Sequence, residues 1–277
     1  MIIMIMIIII FLKKRIKKMK KILINIITME LLNWIDIKKL NWIGLSANPN
    51  AIELLSKHKE RINWDLLSQN PNAIELLSQN KDKINWSRLS SNPNAIELLS
   101  KNKDKIDWYW LSSNSNAIKL LKDNKDKIVW YMLSKNENAI ELLNQNKDKI
   151  NWSQLSANPN AIELLSQNPD KINWYSLSTN PNGINLFRMY NNKMNISLLS
   201  LNPNAIEILK RYYMNINWNY LSKNKNAIEI LKINRKKINW RNFSENPSIF
   251  MMIKKEEESY YGTFKFEDIF KILKYLY

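Results

Sequence analysis

Cysteine is absent from this 277-residue chain, glycine occurs three times and histidine once. Each shortage removes a class of chemistry. Without cysteine there is no disulfide, no thiolate nucleophile and no sulfur ligand for zinc, which points to an intracellular protein. Three scattered glycines, Gly44, Gly183 and Gly262, cannot build a phosphate-cradling loop or a dinucleotide fingerprint. A single histidine, His58, cannot seed a metal cluster. Proline is also scarce, and seven of its eight copies fall at one recurring position. What the chain has in excess is positive charge, +17 in net, and tryptophan, eleven in all.

The tryptophans are periodic. They stand at 42, 64, 86, 108, 130, 152, 174, 218 and 240, spaced by 22 residues apart from one double gap, which Ile196 fills. Ten copies of a repeat thus begin between residues 42 and 240, the last of them incomplete. Counted from the Trp, the consensus is W-x-x-L-S-x-N-P-N-A-I-E-L-L-S-x-N-K-D-K-I-N. Serine at the fifth place and asparagine at the seventh recur in all ten copies, from Ser46 to Ser244 and from Asn48 to Asn246.

Local physics assigns parts to these residues. A residue before proline leaves the helical region, so a helix ends by the first Asn of N-P-N. The second Asn, such as Asn72, is expected to cap the next helix, with Glu75 completing a capping box. That helix should run over about 73–79, burying Ala73, Ile74, Leu76 and Leu77 on one face. Asn80 is expected as a left-handed C-cap, K-D-K as a solvated turn, and Asn85 as the cap of a second piece over 86–90. A unit this small has no sufficient core alone and must stack on its neighbours. The fold class expected is therefore all-α: a right-handed-type α-solenoid of about ten 22-residue repeats, each a short α-helix plus a shorter α or 3₁₀ helix. At roughly 8–10 Å per layer it would be a rod or superhelix of about 80–100 Å. A leucine-rich repeat is excluded, because its pattern needs apolar residues where Asp65 and Asn72 stand.

The unit L-S-x-N-P-N-A-I-E-L-L-x-x-N-x-D-K-I-N-W, in a chain rich in Asn, Ile and Lys, resembles the repeat proteins of giant DNA viruses, mimivirus-like ones in particular. The resemblance covers residues 42–247. It implies a viral protein, in the host cytoplasm or the virion, and brings no catalytic residue with it. A looser likeness, in the turn and the helix pairing, is to leucine-rich-repeat-variant and HEAT-like α-solenoids.

The ends differ from the array. Residues 1–21 join an apolar stub, M-I-I-M-I-M-I-I-I-I-F-L, to K-K-R-I-K-K-M-K-K. The stub is too short to span a bilayer. Together with Lys13, Lys14, Arg15, Lys17 and Lys18 it suits peripheral attachment to an anionic membrane surface, with the rod as a spacer. Residues 22–41 are expected to cap the first repeat through Ile22, Ile24, Leu31, Leu32 and Trp34. Repeats fill 42–255, and 256–277 should be a capping helix with Phe266, Ile269, Phe270 and Leu273 on one face.

No enzyme activity, cofactor or metal is expected, since a motif written ten times is architecture. His58 falls at the seventeenth place, where other copies carry Asn, and reads as a helix-end surface residue. Function should lie where copies differ. The second and third places vary most, and Tyr109, Trp110, Tyr131, Met132, Tyr175 and Tyr220 are the candidate protein-binding residues. The alternative is a nucleic-acid surface built from Lys210, Arg211, Lys232, Arg235, Lys236, Lys237 and Arg241. We expect a monomer that engages a protein partner.

Overall fold

The computed structural model describes residues 27–190 and 194–254. The chain divides into two compact units, one of Leu31–Phe250 and one of Met1–Glu30 with Met251–Tyr277. Strands β1 (Ile27–Leu31) and β2 (Phe250–Lys254) pair in a two-stranded sheet. The apolar and polybasic tail of residues 1–21, Ile22 and Ile24, and the helix expected over 256–277 lie outside the described residues.

The Leu31–Phe250 unit is an all-α solenoid of ten repeats. In the second copy a helix spans Trp64–Gln69, a 3₁₀ turn Pro71–Ala73, a second helix Ile74–Ser78 and a second 3₁₀ turn Lys81–Lys83. The fourth-, tenth- and fourteenth-place residues, here Leu67, Ala73 and Leu77, are wholly buried, and Ile84 at the twenty-first nearly so. Both helices of a copy are too short to persist in water alone, so packing between copies holds them.

Two capping assignments change. Asn72 caps nothing with its carbonyl. The pre-proline Asn70, held extended at φ −73° and ψ 120°, turns its own Oδ1 onto the backbone N–H of Asn72. The helix Ile74–Ser78 begins at Ala73 with no side-chain cap. Asn80 is not left-handed (φ −135°); its side-chain amide donates to the Leu76 carbonyl at 2.7 Å and closes the helix that way. The Asn85 cap is as expected, with Oδ1 accepting from Arg88 N–H at 3.1 Å. Val129 holds that place in one copy and leaves the helix Trp130–Leu133 uncapped. Val129→Asn is therefore expected to raise stability by about 1 kcal/mol, read as a higher urea midpoint at unchanged slope.

The invariant polar residues join the copies. Asn70 donates through both amide hydrogens to the preceding copy, to the carbonyls of Ser46 (3.1 Å) and Asn48 (2.9 Å). The Ser46 hydroxyl donates to the Trp42 carbonyl and accepts from the backbone N–H of Asn63, the residue that caps the next helix. These bonds recur copy after copy, and the residues that make them are buried.

The ladder does not stop at its ends. Asn48 of the first copy donates to the carbonyls of Ser244 (3.0 Å) and Asn246 (2.8 Å) of the tenth. Asn41 N–H donates to the Ser244 hydroxyl at 2.8 Å, and the Asn50 side chain to the Pro247 carbonyl at 2.9 Å. The Asn41 bond repeats, atom for atom, one made within each internal copy, and the other three repeat bonds made between internal copies. The unit is thus a closed ring, in which each copy turns a tenth of a circle from the last. The expected rod is overturned: the roughly 80–100 Å of stacked layers is a circumference. First helices of successive copies pack side by side at the inner radius. The second helices, farther out, meet through long side chains such as Lys122 and Glu141 (3.3 Å).

The tenth copy is assembled from both ends of the unit. Residues 240–249 supply its first ten places, and the 3₁₀ turn Ile37–Lys39 with Leu40 and Asn41 supplies its last five. The decisive contact is Lys39 over the Trp240 ring at 5.3 Å. It matches Arg61 over Trp42, Lys105 over Trp86 and Lys149 over Trp130, at 4.5–4.9 Å. Trp34 packs on Phe243 at 5.8 Å and under the Arg235 guanidinium at 5.1 Å. Residues expected to cap the first repeat therefore complete the tenth.

Candidate interaction surface

The second and third places form a continuous band around the ring. Second-place side chains are exposed in most copies, whereas third-place ones lie half-buried or buried against the neighbouring copy. Tyr131 of one copy accepts at its hydroxyl from the Gln154 side chain of the next (2.8 Å), and Ser153 meets Ser176 at 3.2 Å. Tyr109, Tyr131 and Tyr175 are 44%, 46% and 63% exposed. Trp110 and Tyr220 are half-buried, Trp110 edge-on to Tyr109 at 5.4 Å and beneath Arg88 at 5.2 Å. Met132 is buried and leaves the candidate set, because its helix turns that side chain into the inter-copy contact.

Gly44 is the one third-place glycine, at the seam. A Cβ there would stand 2.6 Å from the Arg241 carbonyl oxygen and 2.9 Å from the Ser244 Cβ. Glycine lets the first and tenth helices approach more closely than any side chain would allow.

The cations proposed for nucleic acid lie apart from this band, except Arg241, which is a second-place residue. Lys210 pairs with Glu207 at 2.6 Å. Lys237 lies over Trp218 and Tyr213, at 4.5 and 4.7 Å, and Arg235 covers Trp34. Lys237 and Arg235 thus serve as packing as well as charge. Arg211, Lys232, Lys236 and Arg241 are exposed. His58 stands at a helix end, edge-on to Trp42 at 5.1 Å and 3.7 Å from Glu60. Lys13, Lys14, Arg15, Lys17 and Lys18 lie outside the described residues.

A shallow cleft is shared by sixth- and eighth-place residues of four successive copies, among them Ser91, Ser113, Lys135 and Pro159. Among the described residues no three His, Cys, Asp or Glu side chains stand together as a metal site. No helix among them is long and apolar enough to cross a membrane.

One surface was not anticipated. At the sixteenth to nineteenth places of copies seven to nine, polar residues give way to Met189, Tyr190, Tyr212, Tyr213, Met214 and Ile233, all exposed. The same places in the second copy read Gln79, Asn80, Lys81 and Asp82. The departure from consensus is visible in the sequence, beside the cluster of lysines and arginines.

No protein-family model, curated protein or solved structure matches this chain.

Proposed function

We propose that the chain is a non-enzymatic scaffold that presents the second- and third-place band of its ring to a protein partner. The carrying observation is the set of tyrosines at 109, 131 and 175. They are exposed while the backbone beneath them is held by buried bonds to the adjacent copies. Tyrosine offers large contact area for little loss of side-chain freedom, and a rigid frame lowers the ordering cost of association. The band varies from copy to copy while the frame does not, as expected where one structure must display a specific surface. The resemblance of the repeat to those of giant DNA viruses supports a scaffold of viral origin.

Tyr109→Ser, Tyr131→Ser and Tyr175→Ser together are expected to reduce capture of the partner at least tenfold without moving the unfolding midpoint. Quantitative affinity capture from expressing cells, with a parallel urea titration, checks this. Capture at the parental level by the triple variant would sink the reading.

A further inference from the structure

The outer edge of copies seven to nine carries an inference independent of the band. Met214 is 91% exposed, Ile233 81% and Met189 67%, with Tyr212 at 51%. They occupy the sixteenth, seventeenth and nineteenth places of three successive copies, so they project from one edge of the ring. The link between copies eight and nine is direct: Tyr213 donates to the Asn234 side chain, and Lys237 lies over the Tyr213 ring. The acidic residue at the nineteenth place, Glu60 to Asp170 in the first six copies, is Met214 in the eighth and Lys236 in the ninth. Exposed Arg211 and Lys236 lie within the same run of places, and exposed Lys232 stands one place before it.

We propose that this edge docks on the surface of an anionic lipid bilayer. Protruding methionine and isoleucine would enter the headgroup boundary, tyrosine would sit at its level, and the flanking cations would meet lipid phosphates and carboxylates. Three features favour a bilayer over other occupants. The outer edge of a ring is convex, so the apolar side chains stand out from it instead of lining a groove that would receive a peptide. The charge beside them is positive and largely free of acidic partners, complementary to anionic lipid. A nucleic-acid strand would use stacking platforms, but the Tyr213 ring is occupied by Lys237 and Trp218, and exposed methionine and isoleucine give a strand nothing to pair with.

The absence of cysteine makes the test direct. Met214→Cys in the full chain is labelled with a polarity-sensitive fluorophore, and Gln79→Cys, an exposed sixteenth-place residue of copy two, serves as reference. Vesicles of phosphatidylcholine, with and without phosphatidylserine, are the probe. The expected result is a blue shift at position 214 with phosphatidylserine vesicles, falling at least fivefold in amplitude when Ile233→Asp and Met189→Asp are added, and no shift at position 79. No shift at 214 would overturn the proposal. So would equal shifts at 214 and 79, which would assign binding to another segment such as residues 1–21. A shift with single-stranded oligonucleotide and none with vesicles would overturn it in favour of nucleic acid.

Discussion

Asn114→Ala is expected to destabilise the ring by about 3–5 kcal/mol, more than any surface substitution in the array. The Asn114 amide donates to the carbonyls of Ser90 (2.9 Å) and Asn92 (2.8 Å) in the preceding copy, and its oxygen accepts from Asn116 N–H at 3.0 Å. Truncation removes three bonds, each worth about 1 kcal/mol net, and takes a donor from two buried carbonyls, of which that of Asn92 keeps the Ala95 N–H at 3.1 Å. Asn114→Asp separates hydrogen bonding from volume. It keeps the size and the accepting oxygen, but turns a carboxylate toward two carbonyl oxygens. It is expected to be at least as damaging as alanine. Urea denaturation of both variants checks this, and an aspartate variant near the parental midpoint would mean that shape, not donation, holds the seventh place.

The period, the helix pair and the buried positions were legible because each is fixed within one copy. Leu67, Ala73, Leu77 and Ile84 announce themselves by spacing, and Asn85 by preceding a helix. The capping scheme was half legible. In N-P-N the asparagine before proline is forced extended, which aims its own side chain at the following turn and frees the second asparagine. Asn72 then donates to the Pro49 carbonyl of the copy before it, at 2.9 Å. Propensity rules describe helix ends in isolation, whereas here the partners of each asparagine belong to another copy, so that pairing has no local signature.

Closure was hidden for a related reason. The turn between copies is a small rotation set by packing, and ten small rotations decide between a rod and a ring. The sequence nevertheless carries one signal of closure. Residues 37–41, I-K-K-L-N, match the K-D-K-I-N end of the repeat without the start of a copy before them, and the copy at Trp240 has a start without that end. Two complementary halves at opposite ends of an array predict that they meet. Of the candidate surface, exposure of Tyr109, Tyr131 and Tyr175 followed from their place. Burial of Met132 did not, because third-place residues face the neighbouring copy and their depth depends on what that copy carries.

Gly44→Leu is expected to open the ring. Its Cβ would be forced against backbone, the Arg241 carbonyl at 2.6 Å, with the Ser244 Cβ at 2.9 Å on the other side. A flexible neighbour could yield to it, but two helix backbones joined by buried bonds cannot shift apart without breaking them. The bonds at stake are those from Asn41, the two from Asn48 and that from Asn50, together about 4 kcal/mol. Loss of the seam differs in kind from loss of any single side chain. A ring has no terminal copy, so every repeat is supported on both sides; an opened ring exposes two, and unsupported repeats fray first. The variant should therefore show a larger radius of gyration by small-angle scattering and a shallower urea transition, together with a lower midpoint. Leu66→Ala, at the same place in the second copy, removes volume without touching the seam and should leave the radius unchanged. If Gly44→Leu kept the parental radius and cooperativity, the seam would be carried by the packing of Trp34 on Phe243 and Lys39 on Trp240, and Trp34→Ala would be the substitution that opens it.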